Sequence, residues 1–140
     1  MLWEEVDLQA RLWVIPAERM KAGREHRIPL SDAAVALLRQ QEQVLLAGVN
    51  LVFPSVRDHK PLSDMTLTAV LRRMQRNDLT VHGFRSTFRD WAAEATDYPQ
   101  EMAEMALAHV VSNKVEAAYR RGDMLEKRRE MMQKWAEFIL

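Results

Sequence analysis

The sequence predicts a mainly α-helical domain with a small antiparallel β-sheet at its N-terminus, an α+β fold. Two observations carry that expectation. The β-prone runs RLWVIP and EHRIPL flank AERMKAGR, whose glycine and charges read as the flexible, basic connection of a β-ribbon. From Ser31 onward, apolar residues recur at three- and four-residue intervals in one segment after another, with no internal repeat or low-complexity stretch between them. At 140 residues the chain holds one domain's worth of core, and it is read as a single domain over residues 1–140.

Each helix has its own signals. Ser31 reads as the N-cap of a helix through Ala47, with Val35, Leu38, Val44 and Leu45 on one side and Gly48 and Asn50 as its stop. LVFPS is a brief extended piece closed by Pro54. Ser63 caps the next pattern, Asp64 to Arg76, with Met65, Leu67, Val70, Leu71 and Met74 as its apolar face. Thr80 then caps a helix in which Phe84, Phe88, Trp91, Ala92 and Ala95 form a core stripe at i, i+4, i+7, i+8 and i+11. His82, Arg85 and Arg89 form a second stripe away from it. Pro99 opens a short Met- and Ala-rich helix to residue 108, and Ser112 caps another that reaches Tyr119 and stops at Gly122. Asp123 with Glu126 resembles a capping box for the last helix, whose apolar positions are Leu125, Met131, Met132, Trp135, Phe138 and Ile139.

Composition narrows the function classes. Apolar residues make up 48% and charged residues 29%, which is globular rather than disordered composition. There is no cysteine, so disulfides and thiolate metal sites are excluded. Glu4, Glu5 and Asp7 stand where a signal peptide needs bases, and the longest apolar run, VLLAGV at 44–49, is too short to span a bilayer. A soluble cytoplasmic protein without a membrane partner is the expectation. Net charge is zero but uneven. Residues 11–29 hold Arg11, Arg19, Lys21, Arg24 and Arg27 against two acids, and residues 57–91 hold seven bases against four acids. Either these segments gather into one basic face that suits a polyanion, or the charges are scattered and solvated.

Four residues stand out in chain order: Lys21 in the ribbon connection, His82 with Arg85 on one helix, His109, and Tyr119 ten residues later. Each has an ordinary reading of its own. Tyr119 could be a half-buried aromatic, His109 a capping histidine and Lys21 a solvated charge. Tyr98, the other tyrosine, directly precedes Pro99 and reads as a loop anchor. His26 and His59 have no evident role, and no metal-ligand spacing such as H-E-x-x-H is present.

Five stretches taken together change those readings: WEEVDL, IPAERMKAGREHRIPLS, VHGFRSTFRDW, EMALAHVVSNKVEAAYRRGD and KRREMMQKWAEF. In that order and at those spacings the chain resembles the catalytic domain of the tyrosine recombinases, the phage and prophage integrases, from Trp3 almost to the C-terminus. The resemblance implies site-specific DNA recombination by strand cleavage and rejoining through a 3′-phosphotyrosyl intermediate. It makes Tyr119 the nucleophile, and Arg85, His82 and His109 ligands of the scissile phosphate, with His82 also able to assist deprotonation. Lys21 becomes the donor of a proton to the departing 5′ oxygen. Arg24 and Arg27 lie close enough to compete with Lys21 and otherwise read as DNA-binding, as does Arg89 unless a neighbouring acid takes it. The implied partners are double-stranded DNA attachment sites and other recombinase protomers, with neither metal nor small-molecule cofactor.

The resemblance breaks in three places. The family carries a further active-site arginine ahead of the strand that begins here at WEEVDL, and only Met1 and Leu2 precede Trp3. Arg11 lies on the wrong side of the motif to replace it. A separate N-terminal DNA-clamping domain is also expected upstream, and Ala108 stands where the family more often has glycine. The chain therefore reads as a partial catalytic domain, incompetent by itself. The alternative is a non-catalytic DNA-binding or recombinase-partner-binding remnant, in which the stripe at 131–139 docks on a neighbour instead of filling the core.

Overall fold

The computed structural model describes residues 1–109 and 122–140. Their strands are β1 (Val6–Asp7), β2 (Leu12–Ile15) and β3 (His26–Pro29), paired antiparallel in the order β1-β2-β3. The register sets Trp13 opposite Val6 on one side and Ile28 on the other. Between β2 and β3 the chain makes a 3₁₀ turn over Ala17–Arg19 and then a bend at Gly23, whose φ of +61° a side chain would strain. The expected ribbon is present, with β1 added on its far edge.

The α-helices among the described residues are α1 (Asp32–Glu42), α2 (Thr66–Arg73), α3 (Gly83–Glu94), α4 (Gln100–Ala106) and α5 (Leu125–Ile139). Ser31 caps α1 as expected, its Oγ accepting the Ala34 N–H at 3.3 Å. The helix ends five residues short of Ala47, and Val44 and Leu45 are exposed. The three consecutive apolar residues 44–46 cannot all follow the face that buries Val35 and Leu38, so the chain turns away. The helix expected over 64–76 likewise shortens to α2.

Two apolar clusters form. Leu30, Val35, Leu38 and Val52 are covered by Trp3, Val6, Leu8 and Trp13. Phe88, Trp91 and Ala92 of α3 pack with Met102 and Ala103 of α4 and Met131 of α5. Trp135 closes the second cluster, with its ring centroid 5.4 Å from Phe88 in an edge-on contact and 5.1 Å from Trp91. The stripe on α5 thus fills the chain's own core at Met131 and Trp135, whereas Phe138 and Ile139 are exposed. Phe84 and Ala95 correct the expected α3 stripe: both are exposed, Phe84 by 53%, because the core-facing surface is centred on Phe88, Trp91 and Ala92.

Helix α5 packs across β3 and also touches α1, where Gln133 Oε1 accepts the Asp32 N–H at 2.9 Å. Asp123 makes the central tie. Arg27 of β3 donates to it twice, Nε to Oδ2 at 2.9 Å and Nη2 to Oδ1 at 2.7 Å. Arg128 of α5, 1% exposed, donates to Asp123 Oδ2 at 3.0 Å, to the Asp123 carbonyl at 2.8 Å and to the Arg27 carbonyl at 2.9 Å. The capping-box expectation is therefore wrong. The Asp123 carboxylate serves two arginines as well as the Leu125 N–H, and Glu126 pairs with Arg129. A second buried acid, Glu5, accepts from the Leu2 N–H at 3.0 Å, from Trp13 Nε1 at 3.1 Å and from Arg19, fixing the N-terminal turn to the sheet.

Burial raises the Asp123 pKa, but the Arg27 hydrogen bonds and the charges of Arg128 and Arg27 outweigh it, so the carboxyl sits below its ordinary 3.8. Burial likewise raises Glu5, and Arg19, the Leu2 N–H and Trp13 overcome it. A depressed carboxylate stabilises the fold fully above the unfolded pKa, and that contribution is lost as pH falls through the folded value. Unfolding free energy measured in urea should hold near neutrality and decline between about pH 5 and pH 2. Asp123→Asn should flatten that decline. Asp123→Ala should cost about 3 kcal/mol at neutral pH, since it leaves the buried Arg128 guanidinium without its counter-charge.

Candidate active site

The site begins with a turn before α3. The Thr80 hydroxyl accepts the Gly83 N–H at 3.0 Å, doing the capping work expected of it one turn ahead of the regular helix. A Cβ on Gly83 would press on that hydroxyl at 3.1 Å, so the close turn favours glycine. His82 sits at the helix start and is exposed; its carbonyl accepts the Arg85 N–H at 3.0 Å, and its side chain makes no hydrogen bond or ion pair among the described residues. Arg85 follows in the first turn and Arg89 one turn later on the same face.

The second half comes from the C-terminal end of α4. The Ala108 N–H bonds the Met105 carbonyl at 3.0 Å, the His109 N–H bonds the Glu104 carbonyl at 2.9 Å, and Ala108 has a left-handed φ of +57°. This is a Schellman turn, the geometry in which glycine is favoured at the left-handed position. It explains physically why an alanine at 108 is a departure from expectation. The turn folds the chain back so that His109 stands beside Arg85. Arg85 Nη2 donates to the Leu107 carbonyl at 2.6 Å and lies 2.7 Å from His109 Nε2. His109 Nδ1 is bonded to Glu104 Oε2. Arg89 Nε lies 2.8 Å from the other Glu104 oxygen, an ion pair without hydrogen-bond alignment.

Of the residues singled out from sequence, Arg85, His109 and Arg89 are therefore brought together. The neighbouring acid that was the alternative partner for Arg89 is Glu104. Lys21 and Arg24 are exposed in the β2–β3 connection and make no hydrogen bond or ion pair among the described residues. Arg27 is held by Asp123 instead. The helix expected after Ser112 and the nucleophile Tyr119 lie outside the described residues. Two contributors escaped the sequence reading. His26 of β3 is half-buried and near enough to the Ala106 carbonyl for that group to act on its pKa. Burial and then the Arg128 charge push its pKa below the ordinary imidazole value, against the pull of that carbonyl and of Asp123. Glu104 is the other; its one signal was an acid five residues before a histidine.

Chemically, the arrangement offers a planar guanidinium and an imidazole nitrogen side by side. Such a pair suits an oxyanion with two acceptor oxygens. Among the described residues, no cluster of three or more His, Asp or Glu side chains is placed to hold a metal ion, and no helix is long and apolar enough to cross a membrane. Two stability measurements check the geometry. Ala108→Gly should raise stability by about 1 kcal/mol by relieving the left-handed alanine. Arg27→Ala should cost about 2 kcal/mol through loss of its charge-assisted bonds, whereas Lys21→Ala and Arg24→Ala should stay within about 0.5 kcal/mol of the parent.

The model of the phage integrase family matches residues 1–126. Prophage integrase IntA of Escherichia coli K12 is 42% identical over 139 residues, which is 98% of this chain and 33% of that protein. The integrase of Enterobacteria phage P4 is 34% identical over 98% of the chain and 35% of its own length. That of Shigella phage Sf6 is 32% identical over 99% and 36%. The chain thus spans about a third of the length of the curated relatives it matches, and no solved structure matches it significantly. With Arg85 and His109 of the matched motifs meeting at one site, this chain belongs to the phage integrase family.

Proposed function

We propose that this chain carries the DNA-cleaving machinery of a site-specific recombinase acting on double-stranded attachment sites. The observation that carries the reading is the meeting of Arg85 on α3 and His109 just past the end of α4, 24 residues apart, at 2.7 Å. A phosphodiester resists attack because its oxygens are already negative, and charge grows on them as the five-coordinate phosphorus forms. A preorganised cationic donor at such oxygens is worth roughly 3–4 kcal/mol. Arg85 supplies that donor, and His109 and His82 supply further hydrogen bonds.

The Tyr119 hydroxyl attacks phosphorus, with His82 assisting loss of its proton, and the bond to the 5′ oxygen breaks. Lys21 protonates that oxygen, leaving a 3′-phosphotyrosyl link and a free 5′-hydroxyl. The covalent intermediate conserves the bond for religation to a second strand. Lys21 and Arg24, exposed in the ribbon connection and without an ion pair among the described residues, are the candidates for contact with DNA phosphates. Arg27 and Arg89 are engaged in ion pairs within the protein, so their DNA contacts are secondary. Assembly with other recombinase protomers on DNA belongs to the same reading.

A nicked suicide substrate, which traps the intermediate because the cleaved 5′ end diffuses away, tests this directly. The relatives are about three times longer, so the assay compares the chain alone with the chain joined to the two thirds of IntA that it does not match. The joined protein should form a covalent protein–DNA adduct and the isolated chain little or none. Tyr119→Phe should abolish the adduct, and Arg85→Ala should slow it by about 10²- to 10³-fold. An adduct that survives Tyr119→Phe, or none from the joined protein, sinks the nucleophile assignment.

A further inference from the structure

We propose that Glu104 is the positioning residue of this site: it fixes the tautomer and orientation of His109 so that Nε2 faces the phosphate position beside Arg85. The inference rests on the reading of Arg85 and His109 as phosphate ligands, and deepens it.

A guanidinium has donors only, so the 2.7 Å contact between Arg85 Nη2 and His109 Nε2 requires Nε2 to be the acceptor. The ring proton is then on Nδ1, and Nδ1 is the atom bonded to Glu104 Oε2. With the opposite tautomer, an N–H would point at the guanidinium and a bare nitrogen at the carboxylate, and neither contact would survive. Glu104 is itself held. Its side chain is only 20% exposed, its carbonyl accepts the His109 N–H at 2.9 Å, and Arg89 stands 2.8 Å from its second oxygen. One residue therefore grips His109 by backbone and side chain across the Schellman turn.

This geometry also provides a way for the site to accept a phosphate. When a phosphate oxygen takes the Arg85 donor, His109 Nε2 loses its partner. Nε2 can then donate to the phosphate only as an N–H, with Nδ1–H still held on Glu104. Glu104 never touches the phosphate; it acts through His109.

Long-range proton–nitrogen correlation NMR on the ¹⁵N-labelled 140-residue chain distinguishes the two tautomers, at a pH where imidazoles are neutral. The chain has four histidines, and loss of signals in His109→Ala identifies the relevant ring. The parent should show His109 protonated at Nδ1. Glu104→Ala should move the tautomer ratio at least about tenfold towards Nε2–H, the scale of one lost charge-assisted hydrogen bond. Glu104→Met, which keeps side-chain length and helix propensity but accepts no proton, should do the same. Arg89→Ala should leave the tautomer as in the parent, although it removes the ion pair. Nε2–H in the parent, or an unchanged tautomer in folded Glu104→Ala or Glu104→Met, overturns the proposal and reduces Glu104 to a structural ion pair. Adding a short DNA duplex separates the two readings. If the Nε2 signal does not respond while the Glu104 dependence holds, the phosphate reading fails and the Glu104–His109 coupling stands.

Discussion

Asp123 occupies the junction on which both halves of this fold depend. The β-ribbon and the last helix are far apart in sequence, and the contact between Arg27 and Asp123 spans 96 residues. An isolated guanidinium as buried as Arg128 would cost several kcal/mol of desolvation. The cost is tolerable because its Nε, Nη1 and Nη2 all donate, two to Asp123 and Arg27 carbonyls and one to the Asp123 carboxylate. These bonds accept only one placement of α5 on β3. Apolar packing of Met131 and Trp135 against α3 then follows from that placement, and α3 carries Arg85. The charged junction fixes position, and the aromatic cluster supplies apolar burial beside it.

A second constraint is local. His109 reaches Arg85 only because α4 stops at Leu107 and the chain reverses through a left-handed residue. A left-handed alanine costs about 1–2 kcal/mol relative to ordinary helical geometry. Two backbone hydrogen bonds and the Glu104–His109 side-chain contact oppose that cost. Position 108 thus links conformational strain to the site: the same turn that strains the alanine presents the imidazole.

What the sequence made legible was what periodicity and capping encode. The ribbon, the Ser31 cap and the Phe88–Trp91 face are all local patterns. Phe84 fits the same stripe and is nevertheless exposed, because a helical period identifies a face but not how far the neighbouring helix extends along it. Val44 and Leu45 failed for a related reason, since propensity continued a helix whose core had already ended. Asp123 with Glu126 matched a capping box by spacing, and two arginines from distant segments outcompeted that local role. At the site, the motif residues were readable but their partners were not. Glu104 becomes visible only once the Schellman turn is seen, and alanine at 108 hides the glycine that would have announced that turn.

The electrostatics of the site follow from these placements. Arg85 and Arg89 are four residues apart on one helix face, where like charges repel. Glu104 lies between their functions: Arg89 is paired to it directly, whereas Arg85 is linked to it only through the His109 ring. The carboxylate therefore neutralises the arginine that serves structure and leaves the other with a neutral, displaceable neighbour. Arg85 remains a cation whose internal partners are a carbonyl and an imidazole nitrogen rather than an acid. Among the described residues an incoming anion has no ion pair to break there, only weaker neutral acceptors to replace. A net-neutral chain can in this way keep a cationic point at the site, because the nearby acid, Glu104, is committed to Arg89 and His109.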